Sequence, residues 1–153
     1  MKNLFITLII TLISITAFSQ TKNEVDLFQA TLGVEKEEIV MNFVKPSEEQ
    51  KEAFMEVYNK YETERKELGK QRITLLNTYA EQWENMTNEQ ADEWTTSVLK
   101  LGKKRDALIK KYYTKVRKVT DAKVATQFFQ IEQYILTMVR YSIFESIPFV
   151  GEK

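Results

Sequence analysis

The sequence contains no cysteine and no histidine, and it has only four glycines and two prolines. Without cysteine there is no disulfide scaffold, no thiolate metal site and no lipoprotein anchor. Without histidine there is no imidazole zinc site and no catalytic triad that uses a histidine base. The few turn-forming residues also argue against a β-rich sandwich. We therefore expect a protein that is not an enzyme, with no catalytic residues, no metal site and no cofactor.

The charge of the chain is balanced, with 22 Lys and Arg against 22 Asp and Glu. Such a balance gives no indication of a nucleic-acid partner, and none is expected. The 153 residues are 43% hydrophobic and contain no stretch of linker composition, so a single folded domain is predicted.

The N-terminus has the features of a secretory signal. Lys2 is followed by an apolar run from Leu4 to Phe18, and the run ends in small residues at Ser19. An uncleaved membrane anchor is the alternative, but the run is shorter than the roughly 20 apolar residues that a spanning helix needs. We predict a signal peptide over residues 1–19, cleaved after Ser19, and one exported helical domain over residues 20–153.

The rest of the chain shows the spacing of apolar residues that is typical of α-helices, which is three and four residues. The pattern predicts a short helix or two within residues 25–44 and a long helix over residues 47–83. A second long helix follows Thr87, and a last helix opens at Thr120-Asp121 and is stopped by Pro148. The predicted fold class is all-α with about four helices: a short N-terminal helix, a long antiparallel hairpin and a closing C-terminal helix.

Two capping boxes open the arms of this hairpin. Ser47 with Gln50, and Thr87 with Gln90, each place a hydroxyl and an amide where they can bind the free backbone N–H groups of a helix start. With the turn between them near Met86, residues that face each other should have numbers that add up to about 171. This register predicts three pairs of residues that lie at matched levels, that is, at the same height along the hairpin axis. They are Gly69 with Gly102, Glu67 with Lys104, and Glu56 with Lys115.

Three arginines occupy seam positions where aliphatic residues are expected, namely Arg65, Arg72 and Arg105. One interpretation is a partner or anion site. The other, which we prefer, is a set of structural ion pairs, because a buried guanidinium requires a carboxylate. The predicted pairs are Arg72 with Glu132, and Arg65 with Asp106.

Residues 103–118 contain eight basic residues and two tyrosines, and a pair of phenylalanines follows in the last helix. Basic residues also favour a helix C-terminus, so a structural role is one interpretation of this segment. The other interpretation is a surface that binds polypeptides or a second copy of the chain. Its candidate residues are Lys110, Lys111, Tyr112, Tyr113, Phe128 and Phe129.

The capping motifs also resemble those of a protein family. Met86-Thr87-Asn88-Glu89-Gln90 is similar to the Leu-Thr-x-x-Gln motif of the Spy/CpxP-like periplasmic proteins, with Met for Leu. Pro46-Ser47-Glu48-Glu49-Gln50 looks like a degraded first copy. The stretches FMEVYNKYETERKELGKQRITLLNTYAEQW and QFFQIEQYI resemble a Bacteroidetes-type subgroup that is often called a sensor of ECF-type sigma factors.

The resemblance implies a small, non-enzymatic envelope-stress protein of the periplasm, often a homodimer shaped as a curved helical cradle. Relatives hold unfolding clients without ATP, restrain a membrane sensor kinase or sense metals. We therefore expect a chaperone-like protein that binds unfolded or membrane-associated envelope proteins. The alternative is a regulatory component that acts on a sensor kinase or an ECF sigma and anti-sigma system.

Overall fold

The computed structural model describes residues 36–152, and it is all-α over that range, as the sequence predicts. Four helices follow one another: α1 over residues 36–43, α2 over Glu48–Gln82, α3 over Asn88–Val119 and α4 over Ala122–Ser146. A short 3-10 turn, Trp83–Asn85, joins α2 to α3, and no strand occurs between residues 36 and 152. The predicted signal peptide and the first part of the predicted N-terminal helix lie outside the described residues.

The helix starts have the predicted caps. Thr87 Oγ1 accepts a hydrogen bond from the backbone N–H of Gln90 at 3.2 Å, and the side-chain oxygen of Gln90 accepts one from the N–H of Thr87 at 2.9 Å. At the start of α2, the side-chain oxygen of Gln50 likewise accepts a hydrogen bond from the backbone N–H of Ser47 at 3.1 Å. The Asp121 carboxylate caps α4 by accepting from a first-turn N–H at 2.9 Å. These bonds satisfy backbone donors that have no partner inside a helix.

The hairpin of α2 and α3 is antiparallel, but its register differs from the predicted one. Lys111 Nζ lies 2.7 Å from a carboxylate oxygen of Glu64, and Lys104 Nζ lies 3.3 Å from the amide oxygen of Gln71. Both pairs add up to 175, about one helical turn from the predicted 171. Side chains lean towards the N-terminus of their own helix. In an antiparallel pair, the numbers of two residues whose side chains touch therefore add up to more than the numbers of two residues whose Cα atoms lie at the same height.

Neither of the two charge pairs expected from the predicted register forms an ion pair among residues 36–152. Glu67 lies 3.5 Å from Lys70, and Glu56 lies 2.5 Å from Lys60, so both carboxylates bind a lysine of their own helix. Lys115 lies over the ring of Tyr112, with its Nζ 4.6 Å from the ring centroid. The matched level of Gly69 and Gly102 stays a prediction.

Helix α4 runs parallel to α2 and completes a three-helix bundle. Near one end, the Gln50 amide donates to Asp121 Oδ2 over 3.3 Å. Near the other end, the hydroxyl of Tyr79 donates to the carbonyl oxygen of Pro148 over 2.7 Å. The two pairs are separated by 71 and 69 residues in sequence. This nearly constant offset means that α4 follows α2 along most of its length.

The tightly packed core lies at the end of the bundle away from the α2–α3 turn. Four aromatic residues of α2, α3 and α4 form its centre: the ring of Tyr61 meets those of Tyr112 and Phe128 edge-on at 5.4 and 5.2 Å, and that of Tyr58 at 6.3 Å. Val40 and Val44 close the core from α1 and the residue after it. Towards the α2–α3 turn most seam residues are only half-buried.

Candidate functional site

A buried network of charged groups joins α1, α2 and α4. The Nζ atom of Lys36 lies 2.5 Å from Glu62 Oε1 and 2.6 Å from Glu132 Oε1. Arg65 Nε donates to Glu62 over 2.8 Å, and the hydroxyl of Tyr61 donates to Glu132 over 2.5 Å. Two cations therefore balance two carboxylates, which is the condition under which buried charges are tolerated. We call Lys36, Tyr61, Glu62, Arg65 and Glu132 the buried network.

The protonation states of the network follow from these contacts. Burial alone would raise the pKa of Glu62, but Lys36 and Arg65 outweigh it and hold that pKa below its usual 4.5, so the carboxylate is ionised. Burial and the carboxylate of Glu132 raise the pKa of Tyr61 well above its usual 10, so its hydroxyl keeps its proton and donates. Glu62 thus accepts hydrogen bonds from Lys36 and Arg65, and Glu132 accepts one from Tyr61 and forms an ion pair with Lys36, so the network joins three helices.

Both predicted ion pairs were wrong. Glu132 binds Lys36 and Tyr61 in place of Arg72. Arg65 binds Glu62, three residues earlier on the same helix. Asp106 lies on an exposed part of α3 and accepts two hydrogen bonds from its neighbour Arg105, at 2.9 and 3.1 Å.

Lys36 is the member of the network that sequence reasoning missed. It lies four residues before Val40 and eight before Val44, which are both buried, so the 3.6-residue period places it on the buried face of α1. A lysine in that position is a signal that a carboxylate partner must lie inside the fold. The identity of the partner is not encoded locally, because Glu62 follows Lys36 by 26 residues.

Arg72 has no carboxylate partner among residues 36–152, although it lies on the inner seam of α2. It follows the buried Tyr61 by eleven residues and precedes the buried Tyr79 by seven, which are three and two helical turns. Arg105 lies two turns before the buried Tyr112 on α3, and therefore on the inner face of that helix. The numbers of Arg72 and Arg105 add up to 177, close to the 175 of the contacting side-chain pairs, so we expect these two residues to face each other across the hairpin.

A third arginine completes this group from α4. Burial, followed by the charges of Arg105, Arg140 and Arg65, lowers the pKa of Arg72 to about 10. Burial and the charge of Arg105 also lower the pKa of Arg140, while Asp106 acts in the opposite direction. We call Arg72, Arg105 and Arg140 the arginine cluster. The cluster carries three positive charges, and Asp106 is the one described carboxylate that pairs with it.

Of the predicted aromatic surface residues, the structure places some in the core and others at the surface. Tyr112 and Phe128 are buried in the core at 1% and 0% exposure, so their assignment to a binding surface was wrong. Neighbouring residues on a helix point about 100° apart, and one ring of each pair therefore turns outward. Phe129 is 43% exposed and its ring meets that of the half-buried Tyr113 edge-on at 6.4 Å.

The two predicted lysines are both exposed on α3. Lys111 binds the Glu64 carboxylate and lies 5.3 Å from the ring centroid of Tyr112, so its charge is partly neutralised within the fold. Lys110 contributes positive charge to the surface.

A larger exposed aromatic surface lies on α4 and the tail after it. Tyr134, Tyr141, Phe144 and Phe149 are between 53% and 61% exposed, and the rings of Phe144 and Phe149 stack at 6.5 Å. We call these four residues the aromatic face. The signal was present in the sequence, because residues 134, 141 and 144 are spaced by seven and three and share one side of a helix. The buried side of α4 uses a different set of residues, beginning at Val124.

Within residues 36–152 no group of three or more acidic side chains is placed to hold a metal ion. No helix in the same range combines the length and the apolar character that a membrane-spanning segment requires. Comparisons of the chain with protein-family models, with curated proteins and with solved structures find no match. The family resemblance therefore stays a prediction that depends on the residues of the two motifs.

Proposed function

We propose that this is an exported, non-enzymatic protein that binds other polypeptides, with a chaperone-like role similar to that of the Spy/CpxP-like proteins of the periplasm. The observation that supports it most is the aromatic face. Four large aromatic residues are more than half exposed on one helix and its tail, in a chain whose core buries other aromatic residues fully. Several large aromatic side chains exposed on one side of a molecule mark an interaction site more often than single exposed rings do.

The proposed mechanism is reversible association without ATP. Burial of apolar area is non-directional, so the same rings can receive many apolar segments of an unfolding polypeptide. Each aromatic side chain can bury roughly 150–250 Å² and can also contact the edge or face of another ring. Arg140, one residue before Tyr141, places positive charge beside the rings and should accelerate capture of acidic clients.

The rest of the fold holds the helix that bears the aromatic face. The core and the buried network fix α4 against α2, so the aromatic face is presented on a rigid helix without partial unfolding of the bundle. A preformed surface loses less conformational entropy on binding than a surface that must first become ordered.

Suppression of client aggregation tests the proposal. The mature chain should reduce light scattering by a reduced, unfolding disulfide protein at equimolar ratio. Replacing Tyr141 and Phe144 by Ser should abolish most of this effect, because their rings are exposed and their loss leaves the core intact. Leu99→Ser is the matched control, since Leu99 is 62% exposed on α3.

Two results would contradict the proposal: no suppression by the wild-type chain, or equal suppression by the double variant. Affinity capture from an envelope extract separates the two roles that the family resemblance implies. Recovery of many unfolded proteins supports the chaperone-like role. Recovery of one specific membrane-associated partner would favour the regulatory component.

A further inference from the structure

The arginine cluster occupies a place where a helical bundle normally has aliphatic side chains. Arg72 and Arg105 lie on the inner seams of α2 and α3, in line with the buried tyrosines below and above them. Replacing buried charges by well-packed hydrophobic residues is often neutral or stabilising, so charges at such positions require another explanation than stability.

The positive charge of the cluster is not neutralised by the described part of the chain. Arg65, which lies two helical turns from Arg72 towards the core, is paired with Glu62 and belongs to the buried network. Asp106 binds Arg105, but 64% of its side chain is exposed. Arg72 and Arg140 then have no ion pair among residues 36–152. Burial, and after it the positive charge of neighbouring arginines, lowers the pKa of each of them, while Asp106 opposes the shift at Arg140.

We propose that the arginine cluster is a binding site for an oxyanion group, a carboxylate or a phosphate, held between α2, α3 and α4. A guanidinium is planar and presents its N–H groups as a fork that matches two oxygens of such a group. Arginine also keeps its charge when partly desolvated, whereas a lysine in this place would lose its proton more readily. An anion bound here would supply the negative charge that the described seam lacks.

The oxyanion has two possible sources, which share the same recognition chemistry. One is a free small anion, and the other is the carboxylate of an acidic side chain in a bound polypeptide. The site uses none of the four rings of the aromatic face, which are more than half exposed, and Arg140 is its one member that lies next to that face in the sequence.

Titration calorimetry on the mature chain tests the site, with sodium phosphate, sulfate and citrate compared with chloride at constant ionic strength. A parallel titration with hexaglutamate against hexaglutamine tests the polypeptide source. Arg72→Gln should weaken binding about tenfold or more, which is the loss of one charge-assisted hydrogen-bonded pair. Arg140→Gln, at an exposed position that does not endanger folding, should weaken it in the same direction.

Arg117→Gln is the matched control, because Arg117 is an exposed arginine near the end of α3 and should leave binding unchanged. Binding of free anions that depends on Arg72 supports the site with a small anion as ligand, and binding of hexaglutamate alone supports it with an acidic segment. No binding of either probe would overturn the proposal, and so would binding that survives both Arg72→Gln and Arg140→Gln. The Tyr141 and Phe144 variant should bind like the wild type, so failure of the proposed function and failure of this site are separate results.

Discussion

The hydroxyl of Tyr61 donates a hydrogen bond to Glu132 over 2.5 Å, between two side chains that are 2% and 3% exposed. Three residues earlier on the same helix, Tyr58 is fully buried, and its hydroxyl has no hydrogen-bond partner among residues 36–152. The two tyrosines thus differ in one bond while sharing the same core. A buried polar group costs free energy unless it is hydrogen-bonded, so their hydroxyls should affect stability in opposite directions.

Removal of each hydroxyl tests this difference. Tyr61→Phe should lower the free energy of unfolding by about 1.5–3 kcal/mol, because it removes a hydrogen bond to a charged group. Tyr58→Phe should raise it by about 1 kcal/mol, because a buried hydroxyl without a partner is removed. Urea denaturation of the two variants measures both values. Equal losses in the two variants would contradict the assignment.

The ion pairs of Glu62 should make the free energy of unfolding depend on pH in the acidic range. Its pKa is lowered in the folded state, so its stabilising effect is complete above the unfolded value of about 4.5 and is lost as the pH falls through the lower folded pKa. Glu62→Gln should cost about 3–5 kcal/mol near neutral pH, since it breaks a buried ion pair. The difference from the wild type should shrink below pH 4.5.

The measurement is the urea midpoint at a series of pH values. Glu67→Gln serves as the control, because 65% of the Glu67 side chain is exposed and its loss should leave the curve unchanged. Parallel curves for the wild type and Glu62→Gln would show that Glu62 is not ionised through Lys36 and Arg65.

The hydroxyl of Tyr112 should make the free energy of unfolding depend on pH in the alkaline range. Burial and the Glu64 carboxylate raise its pKa to about 12 from the usual 10. A raised folded pKa gives stability that is present below about pH 10 and is lost as the pH rises towards 12. Tyrosinate absorbance should therefore show Tyr112 ionising only as the bundle unfolds. Tyr112→Phe should reduce the alkaline loss of stability, whereas Tyr134→Phe, at an exposed position, should not.

Gly102 should be replaceable by alanine with a gain in stability. A Cβ added there meets the nearest heavy atom outside the local backbone, Nη2 of Arg105, at 3.8 Å, an ordinary van der Waals distance. Alanine in a helix interior is favoured over glycine by about 1 kcal/mol, so thermal unfolding of Gly102→Ala should occur at higher temperature. Gly151→Ala is the contrasting control, because its φ of 84° is strained for alanine. A loss of stability in Gly102→Ala would contradict the conclusion that there is room for a methyl group at Gly102.

The sequence by itself determined where the helices begin and end. The hydroxyl of Thr87 and the side chains of Gln50, Gln90 and Asp121 satisfy N–H groups within three residues, and Pro148 stops a helix through its own ring. These effects act between near neighbours in the chain, which is why spacing and capping residues predicted the four helices.

Only the tertiary structure decided which side chains meet across helices. The hairpin pairs lie one helical turn from their predicted partners because long side chains lean along the helix axis, and that lean adds to any small error in the position of the turn. Glu132 binds Lys36 and Tyr61, and Arg72 has no carboxylate partner among residues 36–152, because the rotation of α4 about its axis places residue 132 towards α1 and α2. Rotation and level are set by the packing of whole helices, and no short stretch of residues encodes them.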